Sequence, residues 1–233
     1  MRTLLLVVSI AVLFASFISA QTPSSFDLGS KTVKIPAPDG FTEITAVLPR
    51  VVSRLAATED EGNEILAIHL PEKLLNKFTF DEERDLEFYA KASIARPAKT
   101  MEFTREMFAE YVAKMEKKFD TYLEPDGEMI QRIKGNAEKG ITQYWGNNDT
   151  VALNQPKSLG FFDKGDDVFS AMLFINVSVG RKKYPLLVTT SSLNINNRLV
   201  FLYVYKMSAS EKDAATLRTF TRSWTAAVLA AHK

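Results

Sequence analysis

His69 and His232 are the whole imidazole supply of this chain, and it has no cysteine. A zinc site or a Ser-His triad would therefore rest on His69 in "EILAIHLPEK", where nothing stands at metal or triad spacing. His69 is expected to be a packed or rim residue. In "FFDKGDDVF", Asp163, Asp166 and Asp167 surround Gly165 with oxygens that suit calcium, but the alternating ligands and distal Glu of an EF-hand loop are missing. A solvated turn is expected there. "DEERD", Asp81 to Asp85, brings carboxylates together for acid/base work, yet neighbours along a charged run point in different directions, so an exposed loop is expected. "QYWGNND" is the one stretch suited to recognition: Tyr144 and Trp145 offer rings, and Asn147 and Asn148 offer amides, as at a sugar-binding or peptide-binding edge. On a strand the two adjacent rings would point to opposite faces, which leaves one of them to the core.

No phosphate-cradling glycine loop, nucleophile elbow or nucleotide fingerprint is present. No catalytic residue, cofactor or metal is therefore expected. "GRKKYP", Arg181 to Pro185, reads as a basic hairpin tip and "PDG" at Asp39-Gly40 as a turn. Asn148-Asp149-Thr150 and Asn176-Val177-Ser178 are glycosylation sequons only if the source is eukaryotic.

The N-terminus sets Arg2 before an apolar run and then the small residues Ser19 and Ala20, the pattern of a secretory signal peptide. The run from Leu4 to Phe17 is shorter than the roughly 20 residues that cross a bilayer. Cleavage is expected between Ala20 and Gln21, followed by a flexible segment 21–30 and one domain over 31–233, secreted or periplasmic and without stable membrane insertion. With 29 basic and 28 acidic residues the chain carries no basic excess for nucleic acid. The expected partner is an unknown protein or small ligand in the envelope.

The elements that must position any site follow from hydrophobic spacing. "KTVKI" and the residues after Gly40 read as strands, "LPRVVSRLAA" as a short helix, and "EILAIHLP" and "DLEFYAKASIA" as further strands. In the last, Leu86, Phe88, Ala90, Ala92 and Ile94 face one way and Asp85, Glu87, Lys91 and Ser93 the other, which predicts one buried and one wet face. Phe108, Tyr111, Val112, Met115, Phe119 and Tyr122 predict a helix capped by Thr104. Glu128 to Lys157, with its glycines and asparagines, reads as two short strands with long loops. Then come three strands in a meander, with a tight turn at Asn196-Asn197, and a helix with Ala214, Leu217, Phe220, Trp224 and Val228 in its stripe and a capping box at Ser208 and Glu211. The aromatics of "RLVFLYVYKM" read as core of a central strand rather than as the wall of a ligand site. The fold class is α+β: a mainly antiparallel sheet with a C-terminal three-strand meander and helices packed against it as an α/β/α sandwich.

Two stretches carry a family resemblance. The strand with Leu202, Tyr203 and Tyr205, followed by Glu211 and a helix with Leu217 and Phe220, resembles the end of the PsbP-like fold of the photosystem II extrinsic protein and a Ran-binding import factor. "IPAPDGF", Ile35 to Phe41, is similar to that family's early strand and turn, with Phe41 in place of Trp. The resemblance implies an α/β/α sandwich acting in binding or assembly and carries over no catalytic residue. An exported non-enzymatic binding or accessory protein is therefore expected; the alternative is a secreted hydrolase or other enzyme using carboxylates on loops.

Overall fold

The computed structural model describes residues 22–80, 86–145, 151–154, 156–208 and 210–233. Along the chain run strands β1 (Ser24–Leu28), β2 (Lys31–Ile35) and β3 (Phe41–Glu43), helix α1 (Pro49–Ala57), β4 (Asn63–Pro71), α2 (Glu72–Phe80), β5 (Phe88–Ala95), α3 (Arg105–Tyr122) and α4 (Glu128–Trp145). They are followed by β6 (Val151–Leu153), β7 (Lys157–Gly165), β8 (Val168–Val179), β9 (Lys182–Ile195), β10 (Arg198–Met207) and α5 (Glu211–Ala230). One hairpin joins β1 and β2, and the other eight strands form a sheet in the order β3-β4-β5-β10-β9-β8-β6, with β7 also pairing with β8. Every pairing is antiparallel. The α+β class stands as expected.

The meander β8-β9-β10 forms where the sequence places it. Asn196 and Asn197, at φ 52° and 59°, close β9 onto β10 as the two left-handed residues of a tight hairpin. Thr104 caps α3 by accepting from the Met107 amide at 3.3 Å.

Four local expectations are corrected. Ser24–Leu28, inside the segment read as flexible, is a strand whose Leu28 is fully buried, because Val33 and Ile35 across the hairpin share the same apolar face. Residues 128–145, read as strands and loops, form α4. The cap of α5 is Ser210, which accepts from the Asp213 amide at 3.0 Å and so meets the three-residue capping spacing directly ahead of the helix. Ser208 instead donates to the Asp213 carboxylate. On β5 the face expected to be wet is covered in part: Glu87 is exposed, but Lys91 is 8% exposed, under its partner Glu59 from the loop after α1, and Ser93 is fully buried.

The sheet thus has two covered faces of different make. On one, α5 lies over β9 and β10. Trp224, Leu217 and Val228 meet Ala90, Ala92, Val200, Leu202 and Val204 in a single core that the β1-β2 hairpin closes with Leu28, Val33 and Ile35. The Trp224 indole N–H donates to the Pro36 carbonyl at 2.9 Å, tying helix to hairpin. On the other face the apolar residues divide into three smaller clusters: around Ile68 and Phe78 under α1 and α2, around Phe119 and Val188, and around Phe108 and Phe169 under α3.

Candidate functional site

Between those three clusters runs a polar seam. It begins with register: β10 pairs with β5 so that Phe201 lies opposite Ser93, Tyr203 opposite Lys91 and Tyr205 opposite Tyr89. Side chains alternate across a strand, so Tyr203 and Tyr205 share one face with Lys91 and Ser93, while Leu202 and Val204 enter the α5 core. The Tyr89 and Tyr205 rings stack at 4.5 Å and 11°, and Tyr203 follows at 6.1 Å. The Lys91 ammonium lies 4.9 Å from the Tyr203 centroid and 5.7 Å from that of Tyr205, over both ring faces. Its partner is Glu59, from the loop after α1, and both side chains of this ion pair are nearly buried.

The ring faces are occupied by one another and by Lys91. Tyr89, Tyr203 and Tyr205 are half-buried. Their oxygens are not among the enclosed polar atoms that lack a partner. Burial holds all three phenols well above the ordinary tyrosine range. Ser93, opposite Phe201 on β10 and Ile65 on β4, has an enclosed hydroxyl with no hydrogen-bond partner. At the far end Tyr111 of α3 shares a 2.9 Å hydrogen bond with Ser192.

Glu59 leads from the seam into a cleft of about 510 Å³ between α1, the start of β4 and the end of α4, lined among others by Thr45, Asp60, Asn63, Arg96 and Gln143. Its rim is built by a folded loop: the Gly62 amide donates to the Asp60 carboxylate at 2.8 Å, and the Arg96 amide donates to the Gly62 carbonyl at 2.7 Å. α4 closes over it because Gly140 allows a close approach. A Cβ there would stand 2.5 Å from the Thr58 methyl and 3.3 Å from the Ala57 backbone. Each carboxylate of the loop, and Glu64 at the start of β4, has a cation from another element. Glu59 has Lys91, Asp60 has Arg132 at 2.8 Å, Glu61 has Lys139, and Glu64 has Lys99 at 2.8 Å. The hydrogen bond from Lys139 holds the Glu61 carboxyl below its ordinary range.

The residues singled out in the sequence are dispersed. Tyr144 and Trp145 are the last two residues of α4 rather than part of a strand, directly after Gln143 of the cleft. Asn147 and Asn148 lie outside the described residues, as do Asp81–Asp85 and the cleavage site at Ala20 and Gln21. His69 is packed, as expected: its ring meets Trp224 edge-on at 5.5 Å on the α5 face. Neither ring nitrogen has a partner, and burial pushes its pKa down to about 3. The His232 ring accepts from the Lys34 amide at 2.8 Å and holds the β1-β2 hairpin to the end of α5. Asp167 pairs with Arg105 at 3.1 Å, Asp163 accepts from Thr225 at 3.4 Å, and Asp166 is exposed. Among the described residues no three His, Asp or Glu side chains stand together to hold a metal, and no helix is long and apolar enough to cross a membrane. Gly180 and Arg181 form the exposed turn between β8 and β9, and Lys182 and Lys183, also exposed, begin β9.

Sequence reasoning missed Lys91, Ser93, Glu59 and the tyrosine row as a site. One signal was visible, a Lys and a Ser inside a strand that is apolar on its other face.

No family model and no curated protein matches the chain. Among solved structures it is similar to the Saccharomyces cerevisiae Ran-binding protein Mog1p at 7% identity and a TM-score of 0.29, over 85% of each chain. A mutant of the protein Mog1 gives 8% identity and a TM-score of 0.29, over 84% of each chain. At that level the likeness assigns no family, partner or ligand.

Proposed function

We propose that this chain is an exported, non-enzymatic binding or accessory module on a PsbP-like frame, and that it takes its ligand where the cleft meets the tyrosine seam. The observation that carries this reading is the half-buried tyrosine row, roofed by helices yet left out of all but the margins of the apolar clusters on its face. A convergent set of polar groups in a concave site of roughly 300–1,000 Å³ is the usual form of a ligand pocket. Acid/base work is poorly supported there. A general base must be free to reach a substrate proton, whereas Glu59, Asp60, Glu61 and Glu64 are each engaged by a cation.

The test is recovery of the protein, expressed from its full sequence, from the envelope or medium of its host. A ligand or partner should co-purify in stoichiometric amount and be lost from Lys91→Met. A clean monomer with no partner, lipid or glycan contradicts the reading. So does an activity screen that finds turnover abolished by Glu59→Gln, which would restore the carboxylate enzyme.

A further inference from the structure

β4 is only partly covered at the edge of the sheet. Its outer neighbour β3 pairs with His69, Leu70 and Pro71 and goes no further. The last bonds on that side run from the Ile44 amide to the Ile68 carbonyl at 2.8 Å and from the Ile68 amide to the Thr45 hydroxyl at 3.2 Å. From Asn63 to Ala67 no strand among the described residues pairs with β4 on its outer side. Resting on the binding reading above, we propose that the ligand is an extended peptide segment, which adds to this free edge as a short antiparallel strand in line with β3.

The cleft of about 510 Å³ opens where that cover ends, since Thr45 lines it together with Asn63, Glu64 and Ile65 of β4. α1 contributes Val52, Ala56 and Ala57 to the same lining, so the helix stands off the edge instead of closing it. At about 3.3 Å per residue, about 4.8 Å between strands and about 10 Å between layers, one strand residue fills about 160 Å³, so the cleft takes about three. Three residues is also the length of β3 and of β6, the two ends of the strand order. Asn63, Glu64 and Ile65 keep a regular register with Ala95, Ile94 and Ser93, and the shift that follows them belongs to the pairing with β5 on the opposite side.

The chemistry of the cleft selects backbone. A strand edge without a neighbour presents N–H and C=O groups in a fixed repeat, and another extended chain is what matches it. A saccharide offers hydroxyls without that repeat. An ionic ligand would have to compete with pairs already made, because Asp60, Glu61 and Glu64 in the lining are engaged by Arg132, Lys139 and Lys99. The bound segment is therefore uncharged. Val52, Ala56, Ala57 and Ile65 supply the apolar part of the lining, which suits a small aliphatic side chain at the alternate positions that face them.

The experiment is an NMR titration, on the protein expressed from its full sequence, with the neutral peptide acetyl-Ser-Thr-Val-Thr-Val-Ser-amide. It should bind with a Kd of about 1 mM or tighter. Amide exchange should slow in β4 between Asn63 and Ala67 and stay unchanged in the β8-β9 hairpin. N-methylation of every peptide amide should abolish binding. Ala56→Trp, at an exposed position of α1 that lines the cleft, should abolish it by filling the space. Asp166→Asn, on an exposed turn, should leave it unchanged, and the thermal midpoint of each variant verifies folding. No binding by this peptide, binding that survives N-methylation, or binding indifferent to Ala56→Trp each overturns the proposal. Maltohexaose or inorganic phosphate bound in its place, and lost from Ala56→Trp, overturns the peptide while leaving the binding module standing. Recovery of the protein from its host without any partner removes the module itself.

Discussion

The two faces of one sheet solve different problems. Under α5 the strands contribute Ala90, Ala92, Val200, Leu202 and Val204 to a continuous core sealed by Trp224. One strand position along, the same β5 and β10 contribute Lys91, Ser93, Tyr203 and Tyr205, and their face breaks into three clusters with a charged pair and phenols between them. Stability per buried area comes from the first arrangement. The second costs desolvation and leaves the Ser93 hydroxyl without a partner, and such costs persist where they serve recognition. The polar groups are not evenly divided, however. The α5 face buries hydroxyls too, but in pairs, Thr189 with Thr221 at 2.8 Å and Ser170 with Ser191 at 2.7 Å, and His69 is its fully buried side chain without a partner.

Trp224→Ala should have the largest effect, about 3–5 kcal/mol of stability in urea unfolding, since it empties the centre of the continuous face. A loss under about 1 kcal/mol would mean that α5 is not what seals that core. Glu59→Gln should cost about 3 kcal/mol by leaving Lys91 buried without its counter-charge, whereas Glu59→Leu with Lys91→Met should return close to wild type. A double variant as unstable as the single would show that the seam is held by more than this pair.

Acid should reach the α5 face through His69. Its folded pKa of about 3 lies below the ordinary value of 6.5, so between the two the unfolded chain binds the extra proton. Stability is therefore complete above pH 6.5 and falls as pH drops toward 3, by about 2 kcal/mol between pH 7 and 5. Asp213, whose carboxyl is lowered chiefly by its hydrogen bond from Lys206, is depressed from 3.8 and adds its own loss only below that value. Replacing His69 with Leu should flatten the curve above pH 4; an unchanged slope would place the titrating group elsewhere.

The contrast between the faces was only half legible in the sequence. Alternation in β10 shows that both faces are covered, because both sets are apolar or aromatic. The burial of Lys91 is hidden, since its partner Glu59 comes from the loop after α1, and period-two polarity cannot announce a partner supplied from elsewhere in the chain. α4 was misread for a related reason. Gly140 looks like a loop signal, yet it marks the contact of α4 with Thr58 and Ala57, a tertiary fact. Tyr144 and Trp145 were assigned to a strand by the same error, although the cleft beside them at Gln143 is where the polar groups converge. The Asn196-Asn197 turn and the Thr104 cap were legible because their chemistry is local.

Tyr203 and Val204 are neighbours on β10 that point to opposite faces, and comparing their truncation by urea unfolding tests the division of the sheet most directly. Val204→Ala should cost about 1–3 kcal/mol, because its side chain is fully buried in the continuous core. Tyr203→Ala, although it removes far more atoms, should cost no more than Val204→Ala. A cost for Tyr203→Ala near 4 kcal/mol, the value for a fully packed aromatic, would make the tyrosine row a second core and contradict the account.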